Sequence, residues 1–286
     1  MRRWLKGLVA GLFVAIVGVG LGLSPLGAGF EQGVGLAWLF DVRGPVEPPG
    51  DVVVVAMDSR TGENLGLPTL PRDWPRSMHG RLVDELLARG ASTIVFDVHF
   101  GREKSPEDDQ LLVEAVKRAG RVVLVELLTG KRQPISDLQG RHVGMVWAEE
   151  LVPPFPSLAE AAAGLATFPL PKEGASVHQF WVFKESTDNA PTLPAVALQW
   201  HAREQTAAIL DLARAVAPDG LSAFTSIDQA FSKPDELRNF MRALRASYDS
   251  APDTLGDFES TSPAEPPILL EQALEGLYAG EAHRFL

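Results

Sequence analysis

DVVVVAMD (Asp51–Asp58) and STIVFDVHF (Ser92–Phe100) are the two runs that decide the fold. Each is short, apolar and rich in β-branched residues; the first ends on Asp58 and the second carries Asp97 near its end. Near-continuous apolar runs of this kind are what parallel strands buried on both faces look like. Between them lie a proline-rich crossing, LPTLPRDWPRSMHG from Leu67, and a stretch with Met78, Leu82, Val83, Leu86 and Leu87 at helical spacing. Asp73 or Ser77 can cap that helix, and Gly90 suits the left-handed turn that ends it. Strand, crossing, helix, strand is a βαβ unit.

The pattern continues outward. Ser105-Pro106-Glu107-Asp108 supplies a cap, a proline at the first helical position and an acid two residues on. Leu111, Leu112, Ala115, Val116 and Ala119 form the buried stripe of a second helix, Gly120 stops it, and Val122–Val125 makes a third strand. The expected class is therefore α/β, a mostly parallel sheet with flanking helices. Further on, His142–Trp147 and Val177–Phe183 read as strands, Leu158–Leu165 as a small helix, and Leu193 to about Val216 as a long one capped by Thr192. Residues 201–286 form a helical extension interrupted by an acidic, Pro/Ser-rich loop over 250–267.

The amino-terminal end has a different character. Arg2, Arg3 and Lys6 form a basic cap over residues 1–6, and Gly7 to Phe30 carries no charge. As one helix that run would be about 36 Å long, enough to cross a hydrocarbon core of roughly 30 Å. We therefore expect a transmembrane helix over 7–28, a juxtamembrane linker over 29–50 and a folded body over 51–200. A signal peptide cleaved near Ala28 is the competing reading. Gly7 and Gly11, like Gly18 and Gly22, are four apart, the spacing that lets two membrane helices approach closely and form a homodimer.

Setting the three basic residues of the cap aside leaves 23 basic against 37 acidic residues. The positive-inside rule then puts the amino terminus in the cytoplasm and the acidic body outside the inner membrane. A net charge of −11 argues against a nucleic-acid partner. The chain has no cysteine, so neither a disulfide framework nor a thiolate metal site can form.

Candidate chemistry centres on four residues. Asp58 and Asp97 end adjacent predicted strands, where ligands gather in open α/β sheets. Two acids there can grip a divalent cation, or cap the turns that follow, or pair with Arg76. Arg76 and His79 stand near the start of a helix, where amides and a guanidinium can hold an anion. The blander reading pairs Arg76 with Asp58 or Asp97 and leaves His79 on the helix surface. No second aspartate follows two positions after Asp58 or Asp97, as an aspartyl phosphatase would need. Neither a G-x-S-x-G elbow nor a phosphate loop is present, and the histidines lack zinc spacing. We expect no cofactor and no metal.

AWLFDVRG, DVVVVAMD, WPRSMHGRLVDELLARGASTIVFDVHF, DDQLLVEAVKRAGRVVLV, FPSLAEAAAG and TLPAVALQ follow one another in that order after the apolar run. Their wording and order resemble the CHASE type 2 domain, a bacterial extracytoplasmic sensory module, over roughly Ala37 to Gln199. The matching positions are Asp58, Pro75, Arg76, His79, Gly90, Asp97, Phe100 and one of Asp108 or Asp109. The resemblance implies the input domain of a signalling receptor, responding to a small-molecule or stress signal. It also implies a cyclase or kinase effector further along a longer chain, of which this would be a fragment, and no enzyme activity here. The alternatives are a membrane-tethered structural adaptor, or an anchored hydrolase using Asp58 and Asp97.

Overall fold

The computed structural model describes residues 2–47, 50–136, 139–171, 177, 179–207, 210, 211, 214 and 221–250. The chain divides into two compact units, one built on Met1–Val55 and the other beginning at Ala56.

The first unit is helical: α1 (Arg2–Gly22), α2 (Pro25–Phe30), a π turn (Glu31–Gly35) and α3 (Leu36–Arg43), which stops at Gly44. The predicted membrane span over 7–28 is not one helix. Ser24 interrupts it: its hydroxyl donates to the Leu21 carbonyl at 2.7 Å and accepts from the Gly27 amide at 3.1 Å. Pro25, with no amide hydrogen, opens the next helix. The uncharged part of α1, from Gly7 to Gly22, is about 24 Å long, short of a hydrocarbon core of roughly 30 Å. Among the described residues no helix is long and apolar enough to cross a membrane. Gly7, Gly11, Gly18 and Gly22 lie on α1, and a Cβ at each would meet nothing within 4 Å.

The leading strand of the predicted βαβ unit does not form. Val52–Val55 have no ladder partner, and all four side chains are exposed. β-branched composition favours a pleated surface only where neighbours exist to pack on it.

In the second unit α4 (Ser59–Leu65) and α5 (Arg76–Ala88) precede β1 (Ile94–Phe96). Then come α6 (Pro106–Ala119), β2 (Val122–Ser136), β3 (His142–Val152), α7 (Pro156–Ala161) and β4 (Gly164–Thr167). Next are β5 (Phe183–Lys184) and β6 (Ala190–Pro191), α8 (Leu193–His201), α9 (Ile227–Ala230) and α10 (Pro234–Ser250). The sheet is mixed rather than mostly parallel. β1 and β4 flank the first half of β2 in parallel, with Ile94 opposite Val122 and Gly164 opposite Val123. The second half of β2 runs on as an antiparallel ribbon with β3, pairing Leu127 with Val152 through Ile135 with Gly144.

The sheet separates two helical layers. Val122, Leu124, Ile94, Phe96 and Leu165 face one way, onto Val83 of α5, Leu112 and Val116 of α6 and Leu158 of α7. On the other face α8 and α10 lie on β4. There a Cβ added at Gly164 would stand 2.8 Å from Val196 and 3.6 Å from Leu237. Only a residue without a side chain allows α8 and α10 so close. Gly90 and Gly120 close α5 and α6 at positive φ, as their positions in the sequence predict.

Several boundaries moved. Leu158–Leu165 is split between α7 and β4, and the helix from Leu193 stops at His201 instead of running to Val216. Of Val177–Phe183, only Phe183 lies in a strand among the described residues. The loop over 250–267, beyond Ser250, and the later helical stretch ILLEQALEGLYAG lie outside the described residues.

Candidate functional site

Arg76 opens α5 with Pro75 at its cap, and its side chain turns inward instead of toward solvent. Its Nε faces Asp109 Oδ1 at 3.3 Å, and both side chains are only 6% exposed. Charges so far from water are held by several contacts at once. One terminal nitrogen of Arg76 donates to the Arg102 carbonyl. The guanidinium lies over two rings, 5.2 Å from the centroid of Phe100 and 4.8 Å from that of Phe155. Those residues are themselves joined, the Phe155 amide donating to the Phe100 carbonyl at 2.9 Å.

Asp109, in the first turn of α6, works in two directions. Oδ2 accepts from the amides of Lys104 at 2.7 Å and Ser105 at 3.1 Å, closing the loop that enters the helix. Oδ1 faces Arg76 without the alignment of a hydrogen bond, and Arg76 Nη1 is buried with no hydrogen-bond partner. Burial lowers the Arg76 pKa from its ordinary value, while Asp109 and Glu103 oppose the fall. An arginine stays protonated even so.

His79, one turn along α5, is buried beside this pair. Its ring stands edge-on to Phe100 with centroids 5.3 Å apart, and Phe96 completes the stack. Burial pushes its pKa down, and the charges of Arg76 and Lys104 push the same way, against the Pro75 carbonyl. His79 is therefore neutral at physiological pH, and Nδ1 makes no aligned hydrogen bond.

The four sequence candidates thus separate. Arg76 and His79 come together, but Arg76 takes Asp109 as its partner, not Asp58 or Asp97, and His79 is inside, not on the helix surface. Asp58 is exposed and caps α4, accepting from the Thr61 amide at 2.8 Å and hydroxyl at 2.7 Å. These bonds lower its pKa. Asp97 is exposed just beyond β1. Among the described residues no group of three His, Asp or Glu side chains is placed to hold a metal ion.

Sequence reasoning missed a second buried pair. Glu126, where β2 leaves the parallel sheet, accepts from Arg238 of α10, which also donates to the Leu165 carbonyl at 3.3 Å. Glu126 closes a run of four apolar residues, VVLV, and an acid there is the one signal that it needs a cation. Nothing in the spacing points to Arg238.

The second unit is a three-layered α/β body that holds two buried ion pairs, Arg76–Asp109 and Glu126–Arg238. A family model described as CHASE2 domain matches residues 11–269. The chain belongs to that family, whose members are sensory extracellular domains of signal-transduction receptors. No curated protein and no solved structure matches the chain.

Proposed function

We propose that the chain is the extracytoplasmic input domain of a bacterial receptor, acting at the cell membrane, whose output is a cyclase or kinase continuous with it. The family match over residues 11–269 carries this reading. A sensor needs two packings close in energy, and the signal supplies only its differential affinity for them. The Arg76 cluster suits that demand. It ties α5, the loop after β1 and the start of α6 through a buried ion pair, an interaction with little net stabilisation once desolvation is counted. A signal that releases Arg76 from Asp109 would free all three elements together.

The location is tested on intact cells with a membrane-impermeant amine reagent. Lys233 and Lys131 are both exposed on the folded unit and should be modified from outside. If only a reagent confined to the cytosol reaches them, the sensory reading falls.

A further inference from the structure

α5 and α6 run side by side in the same direction, and the contacts between them change along their length. Near their ends Arg118 Nη2 donates to both carboxylate oxygens of Asp84, at 2.8 and 2.9 Å, and this pair is exposed. At mid-length a Cβ added at Gly80 would stand 3.1 Å from the Leu111 carbonyl oxygen, so one backbone rests on the other. At their starts Arg76 faces Asp109, and both side chains are buried.

His79 precedes Gly80 and lies one turn from Arg76, at the buried end of this seam. It is 4% exposed, so a charge formed on its ring is a charge withdrawn from water. An imidazolium has two N–H groups to satisfy, and Nδ1 has no acceptor in line. The first turn of a helix carries the positive end of its dipole, which also opposes a cation.

The neighbours do the same. α5 contributes Arg76, the loop into α6 contributes Glu103 and Lys104, and α6 contributes Asp109. Asp109 is already held by Arg76 and by the amides of Lys104 and Ser105, and Glu103 is exposed. From β1 and the loop after it come the rings of Phe96 and Phe100, while Asp97 is exposed and His99 bonds to the Val152 carbonyl at 3.0 Å.

We propose that the signal this domain reads is the proton: protonation of His79 parts the starts of α5 and α6, which pivot on the Asp84–Arg118 pair. The proposal rests on the sensory reading above, since an exported domain meets the pH of its surroundings directly. A proton on His79 leaves two cations, His79 and Arg76, beside one buried carboxylate. Letting the ring reach water relieves that conflict. The ring does not move alone, because Phe100 has His79 at 5.3 Å and the Arg76 guanidinium at 5.2 Å. The closed form refuses the proton, so acid favours opening below the ordinary histidine range and return to neutral pH reverses it.

The chain has no cysteine, so pairs of spin labels can be placed on the full chain without background. Ser77→Cys with Gln110→Cys reports on the starts of the helices, and Ala88→Cys with Lys117→Cys on their ends. From about pH 7.5 to about pH 5 the first distance should lengthen by roughly 2 Å or more, and the second should hold. His79→Gln should keep the first distance at its neutral-pH value. His79→Phe, which keeps a ring in place, should do the same and guards against a misfolded glutamine variant. His99→Gln should leave the response intact. An unchanged first distance would overturn the proposal, as would both distances lengthening together, or a lengthening that survives in both His79 variants. If Lys131 and Lys233 prove cytosolic, the sensory reading falls, while these distances still report whether the seam opens.

Discussion

Trp200 of α8 donates its indole N–H to the carbonyl of Ala163 at 3.0 Å, one residue before β4 begins. That bond seats the helix against the strand, and the space it leaves is filled by backbone alone. Gly164 is the point of closest approach, with Val196 and Trp200 on one side and Leu237 on the other. Gly164→Ala should therefore destabilise the domain by about 1–3 kcal/mol, because packed core side chains and not flexible tips must move. Urea unfolding followed by tryptophan fluorescence measures it. An unchanged midpoint would mean that α8 and α10 are not packed as described.

Removing one member of the Arg76–Asp109 pair leaves the other charged and buried. Arg76→Met and Asp109→Leu alone should each cost about 3–5 kcal/mol. The double variant should cost much less than the sum of the two, since no lone charge remains. A double-mutant cycle from urea midpoints reads the difference. Additivity would show that the two side chains do not act on each other.

His79 gives the domain an acid sensitivity with a definite sign. Its folded pKa lies below the ordinary histidine value, so the unfolded chain takes up a proton that the folded chain refuses. Stability should fall as the pH drops below about 6.5, by at most about 1.4 kcal/mol per pH unit, and stay level above it. His79→Gln should flatten that window. Asp58 and Glu149 have lowered pKa values, so their contributions vanish only at lower pH, as each is protonated. A slope between pH 5 and 6.5 that survives in His79→Gln would assign the effect elsewhere.

In a full receptor carrying the expected effector, Arg76→Met should shift basal output toward the signalled level, read as cyclic-nucleotide or phosphotransfer rate. Asp58→Asn should leave it unchanged, because Asp58 acts at the cap of α4. The reverse pattern would move the switch from Arg76 to Asp58.

Local chemistry made half of this structure readable in advance. Leu112 and Val116 announced α6, Gly90 and Gly120 announced helix ends, and Val122–Val125 announced the central strand. These signals concern a residue and its near neighbours. Val52–Val55 failed because a strand is defined by its partner, and a run of valines carries no information about one. The apolar stretch from Gly7 falls short of a span for a local reason: Ser24-Pro25, legible in the sequence as a helix end, closes α1 after Gly22 and leaves too few uncharged residues before it. Within the site, Arg76 and His79 were legible from their place near the start of a helix and from the resemblance, but their burial followed from Phe100 and Phe155, which lie 55 positions apart. Arg238 was beyond reach for the same reason.

The bond between Glu126 and Arg238 spans 112 positions of the chain. Translation delivers about 5–20 residues each second, so several seconds separate the appearance of its two halves. During that interval the central strand of the nascent protein exposes a carboxylate that no nearby cation neutralises. The sheet can be assembled around it, but its far face, covered until then by α8, stays incomplete until α10 leaves the ribosome. Completion of the domain is thereby deferred to the end of synthesis of its last described helix.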